Sequence, residues 1–150
     1  MKGFGITLAA ALLGSLGWAA AGEKRYPVFT PANFVTNMKL LGPNFAAINA
    51  ELGKNDFENA KAHLVRAREL LAITITYWRD RNKDDAVQIL RETLTKMDEL
   101  DSALSSDSID GAAATAIAKE VAAGCAQCHG IYREQDPATK SYRFKNGFGQ

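Results

Sequence analysis

The sequence predicts an all-α protein, with four helices in an antiparallel up-down-up-down bundle. Two observations carry this. Four segments of about twenty residues place apolar side chains at alternating steps of three and four, the repeat of one helical face. Short polar connections separate them, and no strand pattern of note competes. Helices so joined pack most simply side by side around a core that can hold a cofactor.

Arg25-Tyr26-Pro27-Val28-Phe29 reads as an extended lead-in. Thr30 then caps a first helix, with Pro31 at its first position, where the missing N–H costs nothing. The stripe of that helix is Phe34, Met38, Leu41, Phe45, Ile48 and Leu52. Gly42-Pro43 interrupts it, and a kink is expected because the proline ring crowds the carbonyl of Lys39 and cannot donate to it. Gly53 ends the helix. Asn55 or Asp56 caps the second, whose stripe is Phe57, Ala60, Leu64, Ala67, Leu71, Thr74 and Trp78, widened by Leu70, Ile73, Ile75 and Tyr77. A polar connection leads to a third helix from Asp84 or Asp85 to Leu104, with Ala86, Leu90, Thr93, Met97, Leu100 and Leu104 inward. Ser105-Ser106-Asp107-Ser108 is the next turn and supplies the next cap. The fourth helix begins near Ile109 and is rich in alanine, the strongest helix former. Its small side chains leave space for something bulky. Ile117, Val121, Gly124, Cys128 and Ile131 form its inward side, and it ends before Asp136-Pro137. The tail from Ala138 to Gln150 is not helical in pattern.

The start of the chain has a different character. Lys2 precedes an apolar run through Ile6, Leu8, Leu12, Leu13, Leu16 and Trp18, and Ala19-Ala20-Ala21 resembles a cleavage site before the polar Gly22-Glu23-Lys24-Arg25. Residues 1–21 are therefore expected to be a secretory signal peptide. The alternative is an uncleaved anchor, but the strongly apolar core is shorter than the ~20 residues of a span. Residues 22–150 form one ordinary domain, with about 137–150 as a C-terminal extension. Cleavage removes Lys2 and leaves the 17 acidic side chains matched by as many basic ones. That balance gives no reason to expect nucleic acid or an anionic membrane as partner.

Both cysteines fall in Cys125-Ala126-Gln127-Cys128-His129. Cys-x-x-Cys-His is the attachment sequence for a c-type haem. The two thiols can add to the two vinyl groups, and the imidazole can ligate the iron. On a helix, Cys125, Cys128 and His129 share one face. Three other readings compete. A thioredoxin-like pair belongs with a βαβ pattern. A structural zinc site needs four ligands, and the only other strong nitrogen donor, His63, lies far along the chain. A structural disulfide in an exported protein would close a very short loop and leave His129 without a role.

A late Cys-x-x-Cys-His in the last of four helices resembles the class II cytochromes c, the cytochrome c′ proteins and their low-spin relatives. The resemblance covers nearly all of residues 22–150. It rests on Met38-Lys39-Leu40-Leu41-Gly42 through Asn44 and Ile48, and on Cys125–His129 followed by Tyr132-Arg133. It implies one covalently attached haem c, with Cys125 and Cys128 as thioether cysteines and His129 as proximal ligand. It implies Arg133, one turn on, near the proximal face; the plainer reading of Arg133 is a solvated surface charge. The first helix of the family crosses the distal face, and Met38 falls at the distal position. A methionine on a core stripe is more often packing than ligand. The haem motif shifts that balance, because His/Met is an established axial pair. Met97 reads as core and His63 as surface. The chain departs from many family members in carrying Phe34-Val35 where an Arg-Gln pair would stand, so a propionate contact is missing. Lys140, Arg143 and Lys145 alternate with Tyr142, Phe144 and Phe148 in a tail longer than usual, expected to pack on the helices.

The resemblance implies a periplasmic electron carrier that meets redox partner proteins, without membrane insertion after cleavage; family members are often homodimers through the first two helices. The alternative is a five-coordinate, high-spin protein that binds small gases such as nitric oxide. No nucleophile, acid–base pair or open metal site argues for turnover, so an enzyme is not expected.

Overall fold

The structure, a computed structural model, describes residues 30–145 and Phe148. The expected signal peptide and the lead-in before Thr30 lie outside the described residues. The fold is all-α apart from one small hairpin: α1 Pro31–Gly53, α2 Phe57–Ala72, α3 Ile75–Arg79, α4 Asp84–Ala103, α5 Gly111–Tyr132, then β1 Arg133–Gln135 and β2 Tyr142–Phe144.

The first helix starts as expected, with the Thr30 hydroxyl accepting from Asn33 N–H at 3.1 Å. It runs unbroken through Pro43. Phe34, Leu41, Ile48 and Leu52 are buried, with Met38 and Phe45 half-buried against them. Asp56, rather than Asn55, caps α2; Asn55 takes a left-handed φ of 58° in the turn, a conformation asparagine tolerates.

Three expectations need correction. The second helix does not continue to Trp78. It stops at Ala72 and resumes as the short α3. Ile73-Thr74-Ile75-Thr76 is a β-branched run, poor in helix propensity. Its threonines turn their hydroxyls on the backbone, Thr74 donating to Leu71 O at 2.6 Å and Thr76 to Ile73 O at 2.9 Å. The cap of α5 is Asp110, not a residue of Ser105–Ser108, and its carboxylate accepts from Ala112 and Ala113 N–H. Ile131 is 39% exposed, while Tyr132 beside it is 3% exposed and fills the inward position.

The tail contributes β2 to the only strand pair among the described residues, where Arg133 of β1 pairs with Phe144 and Gln135 with Tyr142. Asp136 builds the turn by accepting from Ala138 and Thr139 N–H at 2.9 Å, and Lys140 closes it with a φ of 57°. The expected packing of the tail holds. Phe144 and Phe148 join Phe34, Tyr77, Trp78 and Tyr132 in one aromatic cluster, and Tyr77 donates to Phe148 O at 2.9 Å.

α1 packs along α2, α4 along α5, α2 against α4 and α1 against α5. The α1–α2 pair is antiparallel, marked by Asn37 Nδ2 donating to Leu70 O at 2.5 Å and by His63 meeting Asn44 at 3.2 Å. α4 and α5 are also antiparallel, with Thr93 against Gly124 and Asp85 against Tyr132.

Candidate functional site

Cys125, Cys128 and His129 occupy the last two turns of α5, at the three-and-four spacing that puts them on one face. That face meets one cavity of about 480 Å³. From the far end of the chain, α1 brings Val35, Met38, Lys39 and Gly42 to the same cavity; α4 brings Ile89, Leu90 and Thr93. The hairpin closes another side with Arg133, Tyr142 and Phe144. All five sequence-predicted residues, Met38, Cys125, Cys128, His129 and Arg133, therefore line one space. Met97 is buried in the core at 1% exposure, and His63 lies apart from the cavity.

The cavity is mainly apolar, and this sets the state of its titratable groups. Burial pushes the Cys125 thiol up. It pushes Cys128 up to about 11, helped by Cys125 and by the carboxylate of Asp85. Burial also lowers His129, with the Arg133 guanidinium adding to it. At neutral pH the site thus holds two protonated thiols and a neutral imidazole. The thiols are free rather than bridged. They are the opposite of the depressed-pKa thiolates of redox-active cysteine pairs. The imidazole keeps a nitrogen lone pair for a metal.

The donor set decides which metal group would fit. Among the described residues no group of three or more His, Cys, Asp and Glu side chains is arranged to hold a metal ion by itself. Besides the thiols of Cys125 and Cys128, the cavity offers one imidazole and one thioether, His129 and Met38. As a pair, the imidazole and the thioether are too few for a bare structural ion, which takes four. They suit a metal that carries its own equatorial ligands and needs only axial ones. The volume lies within the ~300–1,000 Å³ of cofactor sites. One further feature points to an occupant. Trp78, 1% exposed, lines the cavity, and its Nε1 is buried with no hydrogen-bond partner among the described residues. A buried N–H left so costs free energy until an acceptor meets it. The residues present fit a haem.

Arg133 is half-buried, and its guanidinium lies 4.0 Å from the centroid of the Tyr142 ring. Sequence reasoning put Trp78 on a core stripe and no further. Thr93 and Gly124 were likewise read only as inward positions. No pattern in the chain marks these three as cavity residues, because periodicity gives the face of a helix but not what stands opposite it. No helix among the described residues is long and apolar enough to cross a membrane. Compared with known proteins, the chain matches no family model, no curated protein and no solved structure.

Proposed function

We propose that the chain is a periplasmic electron carrier similar to the class II cytochromes c, its four long helices forming an antiparallel up-down-up-down bundle around one covalently attached haem c. The observation that carries this reading is the meeting of Met38, from α1, with Cys125, Cys128 and His129, from α5, on one apolar cavity. In this reading Cys125 and Cys128 form the thioether bonds, His129 is the proximal ligand and Met38 the distal one. Arg133 stands near the proximal side. The haem supplies one-electron chemistry at its iron, with a potential set by axial ligands and surroundings.

The chain's residues support that role in three ways. The depressed basicity of His129 keeps its nitrogen free to ligate. Met38 offers a soft thioether, which favours the reduced metal over harder ligands. The mainly apolar lining lowers the polarity around the site, which raises the potential further. Export by residues 1–21 would bring the chain to the compartment of its redox partner proteins, and no substrate chemistry is assigned to it.

Optical spectra of the protein, exported with haem maturation machinery intact, test the reading. The expected spectrum is low-spin with a methionine–ferric charge-transfer band, and Met38→Leu should turn it high-spin. A Met38→Leu protein that stays low-spin removes Met38 as ligand. A high-spin wild type overturns the carrier in favour of the five-coordinate gas-binding alternative. Absence of haem absorbance overturns both.

A further inference from the structure

We propose that α4 acts as a two-point clamp on the Cys-x-x-Cys-His segment, with Gly124, Thr93, Tyr132 and Asp85 as positioning residues. The clamp stands on geometry alone; its meaning for haem attachment rests on the function proposed above.

The first point is steric. α5 crosses so close to α4 at Gly124 that a Cβ there would overlap Thr93 Oγ1 and meet Thr93 Cβ at 3.2 Å and Cγ2 at 3.3 Å. Thr93 cannot easily turn away, because its hydroxyl donates to Ile89 O at 2.7 Å in the helix interior. The residue directly before the first thiol therefore carries no side chain. The second point is polar. Tyr132, three residues past His129, donates its phenol O–H to Asp85 Oδ1 at 2.6 Å. Gly124 to Tyr132 and Thr93 to Asp85 each span eight residues of helix, about 12 Å. The two points thus lie in one antiparallel register, with Cys128 midway on α5 and the cavity-lining Ile89 midway on α4.

α5 needs such a device. Its buried face is built largely of Ala114, Ala118 and Val121, whose small side chains give few knobs to set register. A slip of one residue would turn the thiols by about 100° around the helix axis. Two contacts spaced along one line oppose both sliding and rotation.

The test uses the full chain expressed without haem and kept reduced, with alkylation rates of Cys125 and Cys128 resolved by fragment mass spectrometry. Gly124→Ala should change the ratio of the two rates by about tenfold, the scale expected of an overpacked helix contact. Adding Thr93→Ala, which leaves only the 3.2 Å contact, should restore it to within about twofold, since the two sites touch. Ile48→Val, in the core away from the cavity, should raise both rates together and leave the ratio unchanged. An unaltered ratio in Gly124→Ala, or a double variant no nearer wild type than the single one, overturns the clamp. Should Gly124→Ala fail to fold, Tyr132→Phe, which deletes one oxygen, must shift the same ratio. In haem-loaded protein, Gly124→Ala should lower covalent haem per chain and weaken the methionine charge-transfer band, both recovering in the double variant. If the wild type takes up no haem, the proposed function fails, while the thiol ratios still decide the clamp.

Discussion

The Tyr132–Asp85 bond joins a buried phenol to an exposed carboxylate in the first turn of α4. The phenol O–H, followed by the backbone N–H of Ala86, holds the Asp85 carboxyl below its ordinary value of 3.8. A carboxyl depressed in the folded state contributes stability that is present above its unfolded pKa and is lost as pH falls through its folded pKa. Removing the hydroxyl with Tyr132→Phe should therefore cost about 1 kcal/mol at neutral pH, allowing for the exposed partner. That gap should close as pH falls below 3.8. Urea unfolding of both proteins across a pH series checks this; a gap that does not change with pH would mean the lost stability comes from packing. At this scale the sequence is most legible where chemistry is written in neighbouring letters. Cys125, Cys128 and His129 announce themselves by spacing. Asp85 and Tyr132 lie 47 positions apart and carry no common signature.

Among the elements, the start of α5 was misplaced by sequence for a physical reason. Ser105, Ser106, Asp107, Ser108 and Asp110 are all good capping types, and only geometry selects among them. Asp110 receives two backbone N–H groups, whereas the Ser106 hydroxyl turns back to Ala103 O and Ser108 O. Asp110→Ala should accordingly cost about 1 kcal/mol by chemical denaturation, and Ser108→Ala only a few tenths. Equal losses would return the cap to the serine turn. The break between α2 and α3 escaped the periodic reading because Thr74 and Trp78 stay on the inward stripe across it. Both are buried, so the face continues while the hydrogen-bonding does not. The hairpin escaped because strands of three residues are too short for alternation to stand out.

At the scale of the whole molecule, the helical class and most of the core were legible, since Leu64, Ala67, Leu90, Thr93, Met97, Leu100 and Val121 are buried where the stripes put them. The cavity was legible in its chemistry but not in its walls. Its hairpin side depends on a tail that the sequence marks only by alternating aromatics. Ending the chain at Gln135 should expose the Trp78 face of the cluster, since Phe144 lies 5.9 Å from Trp78 and Phe148 4.7 Å from Tyr132. The expected loss is about 3 kcal/mol or more, with a lower melting temperature. With residues 1–21 removed, Trp78 is the one tryptophan left, so its emission should shift to the red on truncation. An unshifted emission would separate the tail from the aromatic core.

The cavity draws Met38 from the first helix and Cys125–His129 from the last. Such a closure is kinetically expensive, because contacts between distant parts of a chain must overcome a large loop entropy before they are rewarded. The three groups on α5, by contrast, are neighbours as soon as one helical turn exists. On the proposed function, attachment to the cysteines and His129 can therefore come early, on a chain still open. The arrival of Met38 then reports that the two ends of the protein have met, and the methionine band would serve as an optical clock for the last step of folding.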